Sequence, residues 1–119
     1  MRTTTINYHA GLLPRHEIEQ VMKHTGRCRR DVLGILLDTW LWIKDQGQDG
    51  VVEGVGLWVL PQVVRDSDER FFAILEHLGW LQEVDGNLVV PGWHPDLLTF
   101  WRRRQQLCAV MRSVNEICA

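Results

Sequence analysis

Trp80-Leu81-Gln82-Glu83-Val84-Asp85-Gly86-Asn87-Leu88-Val89-Val90 is the stretch that decides the fold. Residues 80–84 and 87–90 are strand-like runs, rich in side chains that suit a pleated, half-buried surface. Asp85-Gly86 between them is the strongest short hairpin signal, because both types tolerate the positive φ that a two-residue turn of matching twist requires. A β-hairpin is therefore predicted, closed by Pro91-Gly92.

Upstream, a helix is predicted over 67–77, with Phe71, Ile74, Leu75 and Leu78 on its inner face, Phe72 alongside and Gly79 ending it. Asp66 and Glu69 have capping-box spacing. Residues 57–65 are ambiguous: Pro61 forbids a regular helix through their middle but suits the start of a short one over Gln62, Val63 and Val64. Val51-Val52-Glu53 reads as a short strand after the turn Gln46-Gly47-Gln48-Asp49-Gly50. Before that, apolar side chains surround a helix from about Arg29 to Gln46, which belongs in the middle of the domain. Gly34 inside it costs about 1 kcal/mol relative to Ala, and the expected return is close approach of another backbone. A first helix is expected to begin at Pro14, carry Ile18, Val21 and Met22 on one stripe, and end at Gly26 in a left-handed cap.

Downstream, a last helix is predicted over about 95–118. Leu97, Trp101, Arg104, Cys108 and Met111 recur along it at near-heptad spacing. Such a stripe serves either packing on its own domain or pairing with a second copy, so Leu97, Trp101, Cys108 and Met111 are the candidate dimer or partner interface. The order of elements gives a mostly α fold with a small β-hairpin: a winged helix-turn-helix plus a C-terminal helix. The chain divides into a flexible segment over 1–12, a winged-helix domain over 13–94 and the C-terminal helix over 95–119.

The totals fit this picture. A chain of 119 residues with 45% apolar and 24% charged side chains buries a core as one domain. Six tryptophans against one tyrosine supply buried area or exposed anchors, Trp58 and Trp93 being candidates for the latter. A net charge of −2 counts against a simple DNA clamp, although thirteen Lys and Arg residues suffice for one basic face. Cys28, Cys108 and Cys118 fit neither a disulfide framework nor a zinc ribbon, so reduced thiols in the cytoplasm are expected. The N-terminus lacks the apolar core of a signal peptide, and no apolar run is long enough for a membrane span.

Several segments together resemble the N-terminal winged-helix domain of phage replisome organisers and DnaD-like replication initiators. They are Gly34-Ile35-Leu36-Leu37-Asp38-Thr39-Trp40-Leu41-Trp42, Asp49-Gly50-Val51-Val52-Glu53-Gly54, Ile74-Leu75-Glu76-His77-Leu78-Gly79-Trp80-Leu81 and Gly86-Asn87-Leu88-Val89-Val90-Pro91-Gly92-Trp93. The likeness covers about residues 14–105, with Arg102, Arg103 and Arg104 where that family has a basic helix after the wing. It implies DNA binding at replication origins and contacts with helicase-loading proteins. Two features depart from the family: Pro61 in the short helix, and a chain ending soon after the domain, which suits a stand-alone regulator or accessory protein.

In a winged helix the third helix enters the major groove and phosphate contacts flank it. The outward residues of 67–77 are predicted to be Asp68, Glu69, Arg70, Ala73, Glu76 and His77, whose carboxylates repel phosphate or meet a basic protein surface. The basic candidates are Arg27, Arg29 and Arg30 opening the central helix, and Arg102, Arg103 and Arg104 on the last one. They form one phosphate-binding rim if the fold brings them together, with Arg70 as a base contact; the alternative is ion pairing with Asp31, Asp38 and Asp96. The wing tip Asp85-Gly86-Asn87 has no cation, which disfavours a minor-groove wing.

His16, His24 and Cys28 match no zinc spacing, and Cys28 near a helix start is a weak redox candidate. No catalytic motif is visible, so no enzyme activity, cofactor or metal is expected. The expected function is a DNA-binding accessory or regulatory protein of replication or transcription, phage-related, with double-stranded DNA as partner and homodimerisation as an option. The alternative is a non-catalytic module that binds a host or replisome protein.

Overall fold

The computed structural model describes residues 15–104 and 106. Helix α1 covers Arg15–Thr25 and α2 covers Arg29–Gln46. Strand β1, Val51–Val52, follows, then a 3-10 turn over Leu57–Val59 that runs into the short α3, Leu60–Val63. Helix α4 spans Glu69–His77, and β2 (Gln82–Val84) and β3 (Asn87–Val89) form the hairpin. Helix α5 starts at 97 and is described through 104.

The hairpin forms as its sequence demands. Asp85 and Gly86 take φ of 52° and 79°, and Val84 faces Asn87 across the turn. Gln48-Asp49-Gly50-Val51 makes a second tight turn of the same chemistry, with φ of 54° and 79° at its centre. That turn delivers β1 to β3, antiparallel, in the order β1-β3-β2. Two helices, a strand, two further helices and the hairpin follow in winged helix-turn-helix order.

Helix α2 is the axis of the core. Val32, Ile35, Leu36, Trp40 and Ile43 are buried along one side of it. Ile18 and Val21 of α1 cover one flank; Phe71, Phe72 and Leu75 of α4 cover another; Val52, Leu88 and Val90 close the sheet side. Gly26, at φ 73°, donates its N–H to the Met22 carbonyl, the left-handed cap the sequence predicts. Pro14 lies outside the described residues. Pro61 sits in the first turn of α3, where a proline costs no hydrogen bond.

Two local expectations are corrected. The cap of α4 is Asp68, whose Oδ1 accepts the Phe71 N–H at 2.8 Å, and the helix begins at Glu69. Asp66 cannot cap it because it occupies the left-handed region, φ 65°, inside the turn between α3 and α4. Gly34 has no backbone against it: a Cβ built there meets nothing within 4 Å.

Candidate nucleic-acid interface

The α3–α4 turn and the α1–α2 junction meet at the N-terminus of α4. Arg27 joins them: Nη1 donates to the Asp66 carbonyl at 2.8 Å, Nη2 to Asp68 Oδ2 at 3.3 Å, and the guanidinium lies 5.5 Å from the Phe71 ring centre. Asp68 thus caps α4 with one oxygen and holds Arg27 with the other. Arg70, exposed on the first turn of α4, donates to the His24 carbonyl at 3.3 Å, where the last carbonyls of α1 favour a cation. Arg29, half-buried, makes a loose pair at 3.9 Å with the exposed Glu19.

Arg30 is exposed and lines a cleft of about 180 Å³ between the start of α2 and the α3–α4 turn. Arg65 stands across that cleft. It lies in the one stretch that was ambiguous by sequence, and its only signal was its place beside the helix-turn-helix turn. Arg27, Arg29, Arg30 and Arg70 therefore gather at one end of α4, with Arg65 added. Glu19, Asp31, Asp38, Asp66, Asp68 and Glu69 stand among them, so the patch is mixed rather than basic.

The second arginine triplet goes elsewhere. Arg104 turns inward: Nη2 and Nε lie 3.0 and 3.1 Å from Glu17 Oε2, Nη1 donates to the Gly79 carbonyl at 2.9 Å, and the guanidinium sits 4.7 Å from the Trp80 ring centre. A phosphate contact from Arg104 is thereby corrected to a buried tie between α1, the end of α4 and α5. Its signal was in the sequence: Arg104 shares the apolar stripe of Leu97 and Trp101. Arg103 is exposed and donates to the Trp93 carbonyl at 2.7 Å. Arg102 is exposed near Asp96, whose carboxyl is held below its ordinary value first by the Thr99 hydroxyl, then by the Thr99 N–H, with the His94 and Arg102 charges contributing less. With Arg104 buried, the second triplet does not present three cations to one rim. The ion-pair partners of the two triplets are Asp68, Glu19 and Glu17 rather than Asp31 and Asp38.

The expected interface on the last helix is also spent internally where it is described. Trp101 is buried edge-on against Trp80, and Leu97 packs half-buried on the core. Cys108 and Met111 lie outside the described residues. Of the two tryptophans expected outside, Trp58 is 64% exposed, whereas Trp93 stacks on Trp40 at 5.5 Å between centroids and packs on the core.

The outer face of α4 is as predicted: Asp68, Glu69, Arg70, Ala73, Glu76 and His77 are all exposed. His16, His24 and Cys28 are exposed as well, and among the described residues no cluster of His, Cys, Asp or Glu is arranged to hold a metal ion. A hollow of about 20 Å³ between Trp40, Trp80, Trp93 and Trp101 is apolar and no larger than one water. Among the described residues no helix is long and apolar enough to cross a membrane. No protein-family model, no curated protein and no solved structure matches this chain.

Proposed function

We propose that the chain is a winged-helix DNA-binding accessory or regulatory protein of replication or transcription, phage-related and cytoplasmic. The observation that carries this reading is the set of exposed arginines, Arg30, Arg65 and Arg70, around the N-terminus of α4. That end of a recognition helix enters the major groove, and phosphates flank it. Arg30 and Arg65 hold phosphates, Arg29 supports them from the rim, and Arg70 reaches a base. Arg27 positions the turn. Arg102 and Arg103, exposed on α5, act as a secondary phosphate site.

Fluorescence anisotropy with random duplex DNA at two salt concentrations tests the reading. Replacing Arg30 and Arg65 with alanine weakens binding to every duplex and lowers the salt slope by about 2, roughly one unit per phosphate contact. Binding that is unaltered by the pair removes this site.

A second reading rests on a different observation. Trp58, Val63 and Val84 are exposed apolar side chains, and the outward face of α4 is acidic. A protein-interaction module uses such a tryptophan as its anchor and such a face against a basic partner. It predicts negligible DNA affinity at physiological salt and a host or replisome protein complex that Trp58→Ala abolishes.

A further inference from the structure

We infer that the aromatic hollow beside α2 is a binding site for one buried water molecule, held by the indole N–H groups of Trp40 and Trp80 and by the Thr39 hydroxyl. Trp40 is 7% exposed and Trp80 3%, and among the described residues neither Nε1 has a hydrogen-bond partner. A buried donor left unpaired costs the full loss of its hydration, so such groups in folded proteins are matched by another protein atom or by ordered water. Both residues line the same hollow of about 20 Å³.

Thr39 supplies the acceptor. It lines the hollow from α2, next to Trp40, and is buried. Its hydroxyl donates to the Ile35 carbonyl at 2.7 Å, one turn back on the helix. That bond uses the hydroxyl hydrogen and leaves the oxygen able to accept. Two donors and one acceptor therefore belong to residues around one hollow. A buried water makes about three hydrogen bonds and needs about 10–15 Å³ of such space, so the polar groups and the volume both match.

The chemistry selects water over other small guests. A hydrocarbon or a noble gas fills the space but leaves both N–H groups unpaired. An anion accepts from both, yet it meets no counter-charge there. The nearby cations, Lys44 and Arg104, lie 5.0 and 4.7 Å from the ring centres of Trp40 and Trp80 and do not line the hollow. Burying an unpaired charge among Trp93, Phe100 and Trp101 costs far more than burying a neutral molecule. Water accepts both indole hydrogens and returns one of its own to Thr39. Its other hydrogen faces the aromatic wall, whose ring faces carry negative charge. So placed, the water ties Thr39 and Trp40 of α2 to Trp80, between α4 and β2, beneath the start of α5.

Water-selective NOESY and ROESY spectra of the whole isotope-labelled chain, with the indole protons assigned, test the inference. The Trp40 and Trp80 indole protons both show cross-relaxation with water, of opposite sign in the two spectra. That is the signature of a bound molecule, since proton exchange gives the same sign in both. The exposed Trp58 is the control for surface hydration. Thr39→Val keeps the side-chain shape and removes the acceptor, and the water signals at both indoles weaken. Trp40→Phe with Trp80→Phe removes both donors, and the hollow then takes up xenon, read as shifts of the Leu36 and Leu75 methyl signals that line it. The parent chain shows no such shifts. Absence of water cross-relaxation at either indole overturns the proposal, and so does xenon uptake by the parent chain or a Thr39→Val protein with unchanged water signals.

Discussion

Replacing Arg104 by methionine keeps most of the side-chain volume and deletes its charge. The Arg104 and Glu17 side chains are only 3% and 9% exposed, so the carboxylate left behind has little access to water. Removing one partner of such a buried pair typically costs 3–5 kcal/mol. Here the loss includes the bond to the Gly79 carbonyl and the contact with the Trp80 ring. A domain of this size has about 5–15 kcal/mol of stability in total, so at least a fifth of it disappears. With a urea dependence of about 1.5 kcal/mol per molar, the unfolding midpoint falls by roughly 2–3 M. Tryptophan fluorescence reports the transition, since Trp80 lies against Arg104 and Trp101. The second arm is Glu17→Leu with Arg104→Met, which removes both charges and returns stability to within about 1–2 kcal/mol of the parent. The two substitutions then show a coupling of at least about 2 kcal/mol. An Arg104→Met protein that unfolds within about 1 kcal/mol of the parent, or a double variant whose costs simply add, refutes a buried tie. Loss of duplex binding with unchanged stability points instead to the phosphate role that the inward position of Arg104 argues against.

Gly50→Ala places a Cβ against the Cβ and Cγ of Trp93 at a residue whose φ is 79°. Left-handed strain and overpacking together cost roughly 2–5 kcal/mol, checked by thermal unfolding, and Gly54→Ala, with open space around it, costs only the strain. Asp96 caps α5 through Thr99, and its lowered carboxyl contributes stability that is fully present above the ordinary carboxylate range and lost as pH falls through the depressed value. Asp96→Ala therefore lowers Tm by the same amount from neutral pH down to about pH 5, and the gap closes on further acidification. A gap that widens toward acid contradicts the sign.

The candidate site was only partly legible in advance, and the residues show why. Capping-box spacing pointed to Asp66; the turn gives the cap to Asp68 instead, because Arg27 takes the Asp66 carbonyl and Asp66 falls in the left-handed region. Arg65 had no pattern to mark it, and its relevance comes from standing across a cleft from Arg30, thirty-five positions earlier in the chain. Arg104 was visible as a member of an apolar stripe, yet its basic neighbours made a phosphate role the natural expectation. Trp58 and Trp93 are indistinguishable as isolated letters. The ring of Trp40 that covers one of them belongs to another element.

Short-range sterics and periodicity by themselves determined the bounds of α2, both Asp-Gly turns, the left-handed glycine ending α1 and the order of helices and hairpin. These depend on residues a few positions apart, whose interactions any conformation of the chain must satisfy. The fate of each charge was decided only in three dimensions. Glu17 and Arg104 are 87 positions apart, and whether a guanidinium faces water or a buried carboxylate depends on what the fold places opposite it. The same holds for Gly34: its missing side chain is a local weakness in sequence and becomes a cleft only when the α3–α4 turn stands across from it.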